Sequence, residues 1–102
     1  MKSEVSSWWN ALSFADKMAV QNGFTPVYVM GHADTKGSRE TNLRISKKRA
    51  QVIANLIGAE VGSKIKLLVA GKGEAMASAY GLPQGRSNQN WRRVSISICG
   101  PY

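Results

Sequence analysis

The chain has 102 residues, 43% of them hydrophobic, which suits one globular domain over residues 1–102 with a modest core. Its 14 Lys and Arg against 6 acids give a formal charge of +8, which favours acidic partners: nucleic acid, an anionic lipid surface or an acidic cell-wall polymer. A single cysteine, Cys99, excludes an internal disulfide, and no apolar run approaches the roughly 18 residues of a membrane span.

Met1-Lys2 is followed by Ser-Glu-Val-Ser-Ser rather than by the apolar core of a signal peptide, so no targeting segment is expected in this chain. Ser3 to about Gln21 predicts one amphipathic helix, because Val5, Trp8, Leu12, Ala15 and Ala19 fall at three- and four-residue steps. Ser3 suits its N-cap and Asn22-Gly23 its stop. Trp8 and Trp9 are adjacent and cannot share one narrow face; at least one is expected in the core. Thr25-Pro26 then opens a short strand, Val27–Met30, apolar on both faces and so expected to be buried.

Gly31 to Gly37 reads as a turn. A long helix follows from about Arg39 to about Ala59, with Ile45, Val52, Ile53, Leu56 and Ile57 on its apolar side and Gly62-Ser63 breaking it. Ile65–Ala70 predicts a second strand. Two strands joined through a long helix imply a parallel pair with a right-handed crossover, and hence an α/β chain. Gly71 to Arg92 is a polar stretch in which Glu74 to Tyr80 can form helical turns. Arg86, Asn88, Asn90, Trp91 and Arg92 make it basic and aromatic, fit either to touch a ligand or to cover the sheet. Val94, Ile96 and Ile98 alternate with Ser95, Ser97 and Cys99, the pattern of a half-buried antiparallel strand closing the sheet over Arg93–Cys99.

The chemistry gathers around the turn. Asp34 lies just past the end of a buried strand, where ligands of α/β sheets favour the crevice. Asn42, Ser46 and Arg49, four and three residues apart, share one face of the following helix. On spacing alone two readings stand. One is an internal Asp34–Arg49 ion pair joining turn to helix, the commoner case. The other is a clamp for a zwitterion, with Asp34 accepting from an ammonium and Arg49 gripping a carboxylate. His32 reads as a packed residue beside the turn, not a metal ligand, because no partner pair stands at metal-site spacing. No activated-nucleophile motif is visible, and Gly71-Lys-Gly73 lacks the full phosphate-loop pattern, so no enzyme, metal or cofactor is read.

Three separated motifs carry a family resemblance: Gly31-His-Ala-Asp34 through Gly37-Ser38, Asn42, Ser46 and Arg49-Ala50; then Gly71-Lys-Gly73-Glu74; then Arg92-Arg93-Val94. In this order, across about residues 12 to 99, they resemble the OmpA-like C-terminal domain, the peptidoglycan-binding module of porins, Pal-type lipoproteins and MotB-type stators. The resemblance implies an α+β sandwich with two helices on a small mixed sheet. It implies that Asp34 and Arg49 hold the diaminopimelate of the stem peptide, with Asn42 as a polar contact and Thr35, Ser46 and Arg92 completing the binding set. It also implies a periplasmic or cell-envelope location, anchoring to peptidoglycan, and contact with other envelope proteins.

The chain departs from the family's pattern at three places. The strand that normally precedes the first helix is absent, Trp91 stands where Asn normally precedes Arg92-Arg93, and Ala77 stands near the place of the family's proline. A sheet without its first strand is expected to leave a bare edge at Val27–Met30 or Ile65–Ala70, covered by a second copy of the chain or by the closing strand. Two other functions remain open: a protein-interaction module that keeps the fold without wall binding, and a nucleic-acid binder. The second is disfavoured, because no helix-turn-helix, zinc finger or basic-aromatic RNA motif is present.

Overall fold

A computed structural model of the chain describes residues 2–62, 64–79, 81, 85 and 92–98. The expectations for Ser63, Tyr80, Arg86, Asn88, Asn90, Trp91 and Cys99 lie outside these described residues. In chain order the elements are α1 (Lys2–Ala11), α2 (Phe14–Gln21), β1 (Val27–Gly31), α3 (Arg39–Val61), β2 (Leu67–Gly71), α4 (Ala75–Ala79) and β3 (Val94–Ser97). Helices pack on a small mixed sheet of order β2-β1-β3, an α+β fold of the OmpA-like kind. None of the described helices is long and apolar enough to cross a membrane.

The expected first helix is two. Ser13 breaks it, taking an extended backbone and accepting the Asp16 N–H on its side chain at 3.1 Å, the N-cap arrangement. The break also shifts the apolar phase. Ala15 is exposed, and Val20 rather than Leu12 is the fully buried residue of this region beside Val5. The stop falls where expected: the Asn22 N–H bonds back to the Met18 carbonyl, and Gly23 follows at φ +78°. Trp8 and Trp9 both pack, half-buried, against the core, with ring centroids 6.0 Å apart.

β1 is the central strand. It pairs in parallel with β2, Val29 opposite Val69, and antiparallel with β3, Val29 opposite Ile96. This corrects the expectation of a bare edge at Val27–Met30, whose backbone is paired on both sides. Among the described residues the open edges are the outer sides of β2 and β3.

α3 begins at Ser38, whose hydroxyl accepts the Thr41 N–H at 3.1 Å, and ends at Gly62, whose N–H reaches the Gly58 carbonyl. Its buried face runs Asn42, Ser46, Ala50, Ile53, Ala54, Ile57 and Val61. Val52, assigned to the apolar side, is instead 45% exposed. Val5, Val20, Val27, Val29, Ala50, Ile53, Ala54 and Ile57 form one core between α1, α2, α3 and the sheet. Burying one such aliphatic side chain contributes about 1.5–3 kcal/mol.

Two glycines set how closely α3 lies on the strands. A Cβ on Gly31 would collide with the Ser46 carbonyl, and one on Gly71 would stand 2.6 Å from the Lys47 nitrogen. The strand ends therefore touch the helix backbone itself. That contact brings the start of α3 against the turn that leaves β1.

Candidate functional site

The turn after β1 is held from both sides. The His32 N–H donates to the Arg93 carbonyl, and the Ala33 N–H to the Gly73 carbonyl, each at 2.8 Å. These bonds extend the sheet two residues past β1 and carry Ala33 and Asp34 into the interior, where both are buried. The Thr35 carbonyl accepts from the Gly85 N–H at 2.8 Å. Asn42, on the first turns of α3, donates its side-chain amide to the Asp34 carbonyl at 3.3 Å.

The Asp34 carboxylate caps its own turn, accepting the Lys36 N–H at 3.2 Å. Its other oxygen lies 3.4 Å from Nε of Arg92, whose side chain is 44% exposed. The ion pair thus joins the turn to the segment entering β3, not to α3. Arg49 is half-buried on α3 and forms no ion pair among the described residues. Asp34, Arg49, Arg92 and Asn42 nonetheless line one cavity of about 190 Å³, together with Ala33, Lys36 and Ile45.

Four of the six residues singled out from sequence therefore meet at one cavity. Thr35 and Ser46 do not line it; both are fully buried. The Ser46 hydroxyl donates to the Leu43 carbonyl at 2.8 Å and accepts the Gly73 N–H at 2.9 Å. It ties α3 to the loop after β2 and so supports the bond from Ala33 to Gly73. Lys36 was not singled out; the signal available was its place two residues after an Asp, where an Asx turn sends the chain back over the carboxylate.

His32 is 1% exposed, and its Nε2 lies 2.9 Å from the Ser95 hydroxyl. Its Nδ1 is buried with no partner among the described residues. The proton belongs on Nε2, since an Nδ1–H would be an orphaned donor. Burial, and then the nearby Arg93 and Lys72 charges, hold the His32 pKa below its ordinary 6.5. The ring is thus a neutral packing element behind the turn.

A second cavity of about 320 Å³ lies at the start of α3, between Arg39, Leu43, Lys72 and Glu74. Glu74, the acid of the second motif, is buried there and lies 3.6 Å from the exposed Arg39. This cavity is larger than the Asp34 cavity, and Glu74 faces Arg39 in it as Asp34 faces Arg92.

A model of the OmpA family matches residues 10–90. Over 70 residues the chain is 31% identical to the peptidoglycan-associated lipoprotein of Legionella pneumophila, a match covering 69% of this chain and 39% of that protein. The chain thus spans well under half the length of the curated relative it matches.

Proposed function

The chain belongs to the OmpA family, and from that premise we propose that it binds peptidoglycan non-covalently through the diaminopimelate of the stem peptide, anchoring an envelope protein or complex to the wall. The observation that carries this is one small cavity in which a buried carboxylate, Asp34, meets Arg49 and Arg92. A free diaminopimelate end carries one ammonium and one carboxylate. Asp34 receives the ammonium, which displaces the half-exposed Arg92. Arg49 grips the carboxylate through two parallel N–H bonds, and the displaced Arg92 remains beside it as a second cation. Asn42 adds a neutral hydrogen bond, while Thr35 and Ser46 position the turn. No step here breaks or makes a covalent bond, and a periplasmic location follows from the ligand.

The test is co-sedimentation of the purified protein with cell-wall sacculi, with free diaminopimelate as competitor and a DNA shift assay beside it. The reading requires pelleting with sacculi, release by diaminopimelate and by stem peptides carrying it, and weaker release by stem peptides carrying lysine in its place, whose free side chain ends in an ammonium without a carboxylate. Pelleting that the lysine and diaminopimelate stem peptides reverse equally would refute the role of Arg49. A DNA complex whose affinity falls by about 0.9 log units per log unit of salt for each phosphate contact would favour the nucleic-acid alternative.

One observation favours a second reading, a module that contacts other envelope proteins. Phe14 and Phe24 are 79% and 83% exposed, and Met18 lies one turn after Phe14 on α2. Large apolar side chains left in water at one helix and its exit suit a contact surface. A second copy of the chain is one such partner. Light scattering over a dilution series checks it: a monomer mass at every concentration removes the dimer.

A further inference from the structure

The basic run Lys47-Lys48-Arg49 is divided by the helix that carries it. Arg49 turns to the Asp34 cavity. Lys47 and Lys48 instead share a hollow of about 330 Å³ with Arg44 and Gln51, on the outer side of α3. Steps of three, four and seven residues from Arg44 set these side chains on one stripe, and all four are exposed. No acid lines the hollow; the next acid along this side of the helix is Glu40, one turn before Arg44. Arg44, Lys47 and Lys48 form no ion pair among the described residues. Like charges one turn apart on a helix repel, and an anion among them relieves that repulsion. Apolar side chains flank the stripe: Leu43, one turn before Lys47, is 51% exposed, and Val52, one turn after Lys48, is 45% exposed. The backbone beneath is seated on β2, since a Cβ on Gly71 would stand 2.8 Å from the Leu43 carbonyl oxygen.

We propose that this side of α3 docks on an anionic phospholipid surface. Headgroup phosphates lie in the hollow between Arg44, Lys47 and Lys48, and Leu43 and Val52 reach the apolar boundary below them. Clustered cations beside exposed aliphatic side chains suit a helix lying on a bilayer. A phosphodiester duplex would match the cations and leave Leu43 and Val52 without a partner, so the flanks select lipid. The inference is independent of the diaminopimelate reading, because none of these residues lines the Asp34 cavity.

Sedimentation with phosphatidylcholine vesicles, with and without phosphatidylglycerol, tests it. The protein should pellet with the phosphatidylglycerol vesicles alone, and less as salt is raised. Each of Arg44→Gln, Lys47→Gln and Lys48→Gln should weaken this binding about fivefold, the scale of one basic residue at an anionic surface. Gln forms helix about as well as Lys or Arg, so the denaturation midpoint should hold. Leu43→Ser with Val52→Ser should weaken binding at fixed salt. The triple α3 variant should still pellet with sacculi. A second triple variant, Lys17→Gln, Lys64→Gln and Lys66→Gln, removes the same charge elsewhere and should bind vesicles more tightly than the first. Equal losses in the two triple variants would overturn the site, by making net charge the cause. Loss of sacculus binding in the α3 variant would overturn it by assigning these cations to the wall. Failure of the wild type to pellet with phosphatidylglycerol vesicles, or binding of a DNA duplex through the same three residues in their place, would overturn the proposal outright.

Discussion

The two ends of the β1–α3 contact are equally buried and are built from opposite materials. At one end Val27 and Val29 meet Ala50, Ile53, Ala54 and Ile57. At the other, His32, Asp34 and Thr35 leave the strand where Asn42 and Ser46 stand on the early turns of the helix, all polar groups of 6% exposure or less, with Asn42 bonded to the Asp34 carbonyl. The apolar end gains from leaving water. At the polar end each group gives up water and must recover a hydrogen bond inside, so the net gain is small while the geometry is strict. The lesson is a division of labour along one helix: the later turns of α3 hold the fold, and the first turns hold a shape.

Removing a piece from each end should separate the two roles. The largest effect on folding is expected from Ile57→Ala, about 2–5 kcal/mol of unfolding free energy, with ligand affinity of the remaining folded protein unchanged. Denaturant titration and calorimetry on one sample read both. Asp34→Ala or Arg49→Ala should do the reverse, costing about 2–5 kcal/mol of diaminopimelate binding. Their denaturation midpoints should move much less, because Arg92 is already 44% exposed and regains water when Asp34 is lost. Wild-type affinity in either variant would end the clamp.

Ser46→Ala should fall between the classes. It strips the acceptor from the buried Gly73 N–H, a cost of about 1–3 kcal/mol, and loosens the bond from Ala33 to Gly73. A loss of stability joined to a weaker ligand is therefore expected, and a loss of either alone would separate the loop from the site. The smallest effect is a slope. Because the His32 pKa is lowered in the fold below its ordinary 6.5, the unfolded chain takes up that proton first. His32 thus makes stability fall as pH drops below about 6.5, by at most about 1.4 kcal/mol per pH unit, and the loss ends once pH passes below the lowered native value. His32→Gln should flatten that segment of a stability-against-pH curve. An unchanged curve would mean the ring charges without cost.

Period and punctuation alone determined much of this protein. Val27–Met30, the helix from Arg39, the parallel partner strand and the alternating closing strand all follow from local spacing, as does the shared helix face of Asn42, Ser46 and Arg49. The motif order pointed to the OmpA family, which the family match bears out. Local rules faltered where one side chain competed with a pattern, as Ser13 did by capping α2 and splitting the expected first helix. What only the tertiary structure decided is which groups meet. Asp34 takes Arg92, far along the chain, rather than Arg49, because the bond from His32 to the Arg93 carbonyl sets Arg92 beside the turn. Ser46 faces inward to a loop, because Gly31 and Gly71 let α3 sink onto the strand ends. Helical spacing says which side chains share a face; what that face meets depends on contacts between residues distant in the chain, which no periodicity records.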